Sequence, residues 1–298
     1  MIFRLLLLAL LVVCGPLNAS PASQPLQVFY PRPESAHDSR YQYDWEVLHM
    51  ALDKTRSRFG PYVLHQSSQH MSSARVVAEV SGPGQINVFV RATSVELERQ
   101  FRPVRIPVDR GLIGYRLLLV RRDDLPAFAQ VTSLEQLRRF RLGQGKGWVD
   151  VGILQAAGLQ VVEGNNYEGL FSMLMVGRFD AFSRSVDEAL REYDERHEQF
   201  GFEVEPGLAL YYPLARYFFT RRDAEGEELA RRLQAGLEIM VQDGSLQALF
   251  QLHKEPLIRR SGLAQRRLIR MSNPLLPPLT PLERSELWYR PQETTGKR

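Results

Sequence analysis

The stretch from Arg141 to Gly158 constrains this chain most. Arg141-Leu142 ends a short strand, Gly143, Gly145 and Gly147 space a turn that lets backbone amides approach a ligand, and the residues from Trp148 to Gly158 form a helix whose N-terminus faces that turn. Gln160-Val161-Val162 then reads as a strand, Tyr167 to Val176 as a helix stopped by Gly177, and Phe179 to Ser185 as a further strand and its exit. A glycine turn inside such an alternation belongs to an α/β layer with a parallel sheet.

The segment before it has the same rhythm. Leu26 to Tyr30 is a strand ended by Pro31-Arg32-Pro33, since proline cannot continue a ladder. Val47, Leu48, Ala51, Leu52 and Phe59 mark one helix face over 43–59, with Gly60-Pro61 as its stop. Tyr62-Val63-Leu64 is a second strand, Ser72 to Val80 a second helix and Ile86 to Val90 a third strand. Ligands in open parallel sheets gather beyond the carboxyl ends of strands, so Tyr30, Arg91, Thr93 and Ser94 are placed at one crevice. Ser183 and Arg184 hold the matching place in the second half.

Gly111 to Val120 reads as a crossover into a second lobe, and the extended run Leu208 to Thr220 as the return. Leu229, Leu233, Leu237 and Met240 form one face of a late helix, Gly244 breaks it, and Ser245 to His253 resumes it. Arg259, Arg260, Arg266, Arg267 and Arg270 are read as a solvated face, with an acidic partner or membrane as the alternative. The division expected is 25–118 with 213–272 for lobe 1, 119–212 for lobe 2, and a proline-rich tail, 273–298, extended along lobe 1 with Trp288 and Tyr289 docked.

At the N-terminus, Arg4, the apolar run Leu5 to Val13 and small residues near 17–22 form a secretory signal peptide over 1–22. The single cysteine, Cys14, lies within it. A lipid anchor there is disfavoured because bulky Val13 precedes it. Loss of Arg4 takes the net charge from +4 to +3, a mild excess that does not imply nucleic acid. The six histidines lack metal-ligand spacing, and no cofactor is expected: there is no Gly-x-Ser-x-Gly elbow, no P-loop and no Gly-x-Gly-x-x-Gly fingerprint.

From Leu26 to His253 the chain resembles the two-lobed periplasmic solute-binding proteins of the polar amino-acid type. Ser133-Leu134-Glu135-Gln136-Leu137, the Gly143 to Gly147 turn, Gly177-Arg178-Phe179-Asp180-Ala181 and Asp243-Gly244-Ser245-Leu246 carry that resemblance. It implies an α/β fold of two lobes with mostly parallel sheets joined by two crossover strands. It also implies a monomeric, non-enzymatic periplasmic receptor that closes on a small solute for an ABC-type transporter or a membrane sensor. The family's ligand positions fall on Tyr30, Thr93 and Ser94, and Gly145, Lys146, Gly147 and Trp148 face them. Two departures stand out: Leu97-Glu98 occupies the place of the carboxylate-gripping arginine, and Ser183-Arg184-Ser185 the place of the acid that meets an ammonium. The lining therefore suits an anionic solute held by Arg91 and Arg184, each of which could instead be paired with an acid such as Glu96 or Asp187. An enzyme of this fold, dehydratase-like and using Glu96 or Asp150, is the alternative.

Overall fold

The computed structural model describes residues 24–34 and 40–291; the expected signal peptide, with Cys14, lies outside them, as does the end of the tail. In the first lobe β1 (Leu26–Arg32) and β2 (Tyr62–His70) pair in parallel, Val28 opposite Leu64. Between them run α1 (Gln42–Lys54) and α2 (Arg56–Phe59). The single helix expected over 43–59 is interrupted at Thr55, whose hydroxyl donates back to the Ala51 and Leu52 carbonyls and accepts from buried Arg232. Helix α3 (Ser73–Ser81) leads to β3 (Val88–Ala92), and Asn87 sews β3 to β1 by accepting from Phe29 N–H and donating to the Gln27 carbonyl, both at 2.8 Å. Strand β3 outlasts the expected end at Val90, so Arg91 sits within the ladder. After α4 (Val95–Gln100) comes the short β4 (Arg102–Val104).

The chain then crosses over through β5 (Tyr115–Arg121), a strand of the second sheet. Short α5 (Leu125–Ala129) and α6 (Leu134–Leu137) precede the expected alternation of β6 (Arg141–Gly145), α7 (Val149–Ala156), β7 (Gln160–Gly164), α8 (Tyr167–Met175) and β8 (Ala181–Ser185). Helix α9 (Val186–Phe200) opens with a reciprocal capping box between Ser185 and Glu188, and β9 (Phe202–Val204) returns onto β5. The extended run 208–220 splits at Tyr212-Pro213. Strand β10 (Leu208–Tyr211) stays in the second sheet, whereas β11 (Arg216–Thr220) is the antiparallel centre of β3-β11-β4 in the first lobe. Helix α10 (Ala224–Gln242) packs on α1, and α11 (Ser245–Ser261) lies against both α10 and α9.

Four further expectations change. Helix α11 continues past His253 and contains Pro256; the missing N–H falls on the turn at Leu252, which is exposed. Residues 267–270, expected in lobe 1, form β12 (Arg267–Arg270), which gives the open edge of β10 a parallel partner. The second sheet therefore runs β12-β10-β5-β8-β6-β7, with β5 antiparallel to β10, β8 and β9 and the remaining pairs parallel. The tail, expected along lobe 1, straps both lobes. Asn273 donates to the Pro213 carbonyl and Leu275 fills the space beside Gly152 of α7. Arg284 grips Glu238 of α10 at 2.8 and 3.0 Å, Trp288 lies flat on Gly111, and Tyr289 packs against Tyr115 and Phe250. The five late arginines are only partly a solvated face: Arg260 pairs with Asp194, Arg266 donates to the Leu208 carbonyl and Arg267 to the Val131 carbonyl.

Burial explains why the two lobes hold their shapes. In the first lobe Val28, Val47, Leu48, Leu52, Leu233 and Leu237 form one buried cluster, and Phe89, Tyr217 and Phe219 belong to a second. In the second lobe Leu117, Phe171 and Phe182 lie on one side and Leu118, Leu142 and Leu154 on the other. Each fully buried Leu or Phe contributes about 1.5–3 kcal/mol.

Candidate functional site

The opening glycine turn is built for packing as well as for access. The indole of Trp148 lies directly against Gly145, where a Cβ would collide with the ring. Gly147 has φ 76° with open space at its Cβ position, so its glycine character serves the turn and leaves its backbone bare toward the lobes' junction. Trp148 is then the N-cap of α7.

Above this turn lies an inter-lobe cleft with a volume of ≈ 330 Å³. Its first-lobe wall includes Tyr41, Val90, Arg91, Ser94 and Leu97; its second-lobe wall includes Gly147, Trp148, Val149, Arg184 and Glu188. Ile113, Arg116 and Arg216, from the crossover strands and their approach, also line it, as does Asp150. Five arginines therefore reach one space: Arg40, Arg91, Arg116, Arg184 and Arg216.

Four of them are engaged. Arg40 approaches Glu34 at 3.7 Å and crosses the cleft to lie 4.2 Å from the centre of the Tyr167 ring. Arg116 is bound at 2.7 Å to Asp150, which also accepts the Tyr212 hydroxyl, and donates to the Ile113 carbonyl at 2.9 Å. Arg216 holds Asp44 at 2.9 Å. Arg184 is clamped by Glu192 through contacts of 2.7 to 3.0 Å, meets Glu188 at 3.3 Å, and stacks 4.7 Å from the Trp148 ring centre. Burial opposes charge on both Arg184 and Glu188, yet each overcomes it through the other: Arg184 is held well above its ordinary value by Glu188 and Glu192, and Glu188 is held down to about 2 by Arg184 and Arg116.

Arg91 differs. Its side chain has no hydrogen bond, ion pair or ring contact among the described residues; desolvation, opposed by Tyr41 and reinforced by repulsion from Arg40 and Arg216, pulls its guanidinium below the ordinary value. The guanidinium is half-buried with no protein partner, and an anion placed there gains charge-assisted, bidentate hydrogen bonds.

The expected site residues divide accordingly. Arg91, Ser94, Gly147, Trp148 and Arg184 come together in the cleft. Ser94 also caps α4, accepting from Leu97 N–H at 3.1 Å. Tyr30 does not line the cleft: its ring packs on Trp45 at 4.8 Å, and Tyr41 takes the place facing the opening. Thr93 is buried and donates to Glu98 at 2.8 Å. Gly145 is covered by Trp148, Lys146 is exposed and outside the lining, and Ser183 is buried with its carbonyl accepting from Gln144. The acids named as partners of Arg91 and Arg184 are occupied elsewhere, Glu96 by Arg99 at 2.9 Å and Asp187 by Lys254 at 2.5 Å. Arg40, Tyr41, Ile113, Arg116, Glu188 and Arg216 escaped the sequence reading. Two of them had a signal: Tyr115-Arg116-Leu117 and Ala215-Arg216-Tyr217 each place a charge inside a buried strand, which requires a partner.

No family model and no curated protein matches the chain. Solved structures do. An ancestral arginine-binding protein bound to arginine superposes with a TM-score of 0.56 at 17% identity, over 78% of this chain and 99% of the other. A histidine kinase sensor domain with similarity to periplasmic binding proteins gives 0.53 at 18%, over 78% and 97%. An ancestral amino-acid-binding protein, a precursor of cyclohexadienyl dehydratase, gives 0.53 at 15%, over 77% and 94%. With its two α/β lobes, its paired crossover strands and the cleft between them, the chain has the type II periplasmic-binding-protein fold.

Proposed function

We propose that this chain is a periplasmic solute receptor whose lobes close on a small anionic solute, with Arg91 as the anchor for the anionic group. The unpaired Arg91 side chain in the inter-lobe cleft carries this reading, because the other four cleft arginines already have partners. A solute that bridges Arg91 and the Gly147–Trp148 edge favours the closed arrangement by its differential affinity for it. Likeness to an arginine-binding protein and to a kinase sensor domain supports both delivery to an ABC-type transporter and presentation to a membrane sensor. The expected signal peptide supports a periplasmic location for this activity. Among the described residues no helix is long and apolar enough to cross a membrane.

Catalysis on a small acid is the second reading, favoured by the likeness to the dehydratase precursor. Its two named acid–base candidates are already committed, Asp150 to Arg116 and Tyr212, and Glu96 to Arg99. Thermal-shift screening against carboxylates, phosphates and sugar acids tests the receptor, since a ligand raises the midpoint by mass action. At least one anion should raise the wild-type midpoint and leave Arg91→Ala unmoved. If every anion fails, or if Arg91→Ala responds like wild type, the proposal is wrong; conversion of the bound ligand would decide for the enzyme.

A further inference from the structure

We infer that the cleft selects a monocarboxylate with an apolar body and discriminates against the zwitterionic amino acid of the same shape. The inference rests on the receptor reading and narrows its ligand. Two observations carry it. First, the carboxylates that line the cleft are occupied: Asp150 holds Arg116 at 2.7 Å and accepts the Tyr212 hydroxyl, Glu188 meets Arg184 at 3.3 Å and accepts the Ser185 N–H at 3.2 Å, and Glu96, at the exposed rim, is taken by Arg99. An ammonium brought inside would lose its water and gain a carboxylate only by competing with an arginine already in place. It would also sit among Arg116, Arg184 and Arg216, whose charges oppose it.

Second, apolar and aromatic side chains from both lobes line the cleft beside its charged groups and the polar Ser73, Ser94 and Gln100. Val77, Val90 and Leu97 line the first-lobe side, Trp148 and Val149 the second, and Ile113 the side toward the crossover, with the Tyr41 ring among them. A solute with one carboxylate and an aliphatic or aromatic body matches both features: the carboxylate reaches the unpaired guanidinium and the body is removed from water against those side chains. The ≈ 330 Å³ of the cleft sets the scale to a small molecule.

The test compares ligands that differ by the ammonium alone. Isothermal titration of the purified chain would use 3-phenylpropanoate against phenylalanine, and 4-methylpentanoate against leucine, with acetate as the bodiless carboxylate. Each desamino acid should bind at least about tenfold tighter than its amino acid, and 3-phenylpropanoate at least about tenfold tighter than acetate. Arg91→Ala should weaken the bound acids about 100-fold, and Arg91→Lys, which keeps the charge without the fork, should recover part of that loss. The unliganded melting midpoint of each variant separates a lost contact from a lost fold. Amino acids binding as tightly as their desamino partners would overturn the ligand class, while their dependence on Arg91 would leave the receptor reading standing. Binding indifferent to Arg91→Ala would overturn both. The absence of binding by all five compounds up to about 10 mM would overturn the ligand class alone, because the receptor reading stands or falls on the wider screen of carboxylates, phosphates and sugar acids.

Discussion

Arg91 and Arg184 occupy matching places, each near the carboxyl end of a strand that faces the cleft, and the molecule uses them oppositely. Arg184 is followed by α9, where Glu188 and Glu192 stand four and eight residues on, so that one helix face delivers two carboxylates to it. Arg91 is followed by α4, whose first-turn acids turn elsewhere: Glu96 pairs with Arg99, and Glu98 takes Arg105 at 2.6 Å and the Thr93 hydroxyl. The second lobe therefore neutralises its arginine internally, and the first lobe leaves its own without a protein partner among the described residues. Position at a strand end brings a guanidinium to the cleft; the helix after the strand decides whether it is free.

The largest test of this contrast is Arg184→Ala. It strands Glu188 and Glu192 in a buried site, and the fold should lose about 3–5 kcal/mol, read as a lower urea midpoint with an unchanged slope. A near-neutral result would show that Arg184 belongs with Arg91 as a ligand group. Arg91→Ala should do the reverse. Chemical stability should stay within about 0.5 kcal/mol of wild type, because a half-buried charge with no protein partner is removed, while affinity for the cognate anion falls about 100-fold.

Asp109, on the crossover between the lobes, sharpens the comparison from outside both. It accepts from Gly111 and Ile113 N–H at 3.1 and 2.9 Å, and burial, with Asp187 and Asp44 nearby and Arg216 opposing, pushes its carboxyl up to about 7. The unfolded carboxyl releases its proton near pH ~4, so the folded form binds more protons between about 4 and 7. Its contribution to stability is thus present below pH ~4 and lost as the pH rises to about 7. Urea unfolding of wild type and Asp109→Asn across that window should show their stability difference moving by on the order of 2 kcal/mol in favour of the variant as pH rises. A pH-independent difference would remove Asp109 as the titrating group. The smallest effect belongs to the rim: Glu96→Gln, which breaks an exposed pair, should change ligand affinity by less than about twofold, and a larger change would bring Glu96 into the site.

Local pattern made much of the second lobe legible. Ser133 and Gly177 mark helix ends where the structure has them, since a cap side chain or a left-handed glycine acts within a few residues. The site was less legible. Tyr30 alternates correctly for a strand, yet Trp45 from α1 covers it, and no spacing within β1 announces that. Arg40 and Tyr41 follow a loop and carry no periodic signal. Arg116 and Arg216 were visible as charges inside apolar strands, but their partners Asp150 and Asp44 lie 34 and 172 residues away in sequence.

The sequence by itself determined the alternation of strands and helices, the glycine turn before α7, the crossover and return, and the arrival of two arginines at strand ends, because each follows from spacing or from the conformational limits of a few adjacent residues. Tertiary structure alone decided which arginine stays unpaired, that residues 267–270 close the edge of the second sheet, and that the tail straps both lobes. Those outcomes depend on groups far apart in the chain competing for one buried place, where the cost of leaving a charge or a ladder unpaired selects the partner.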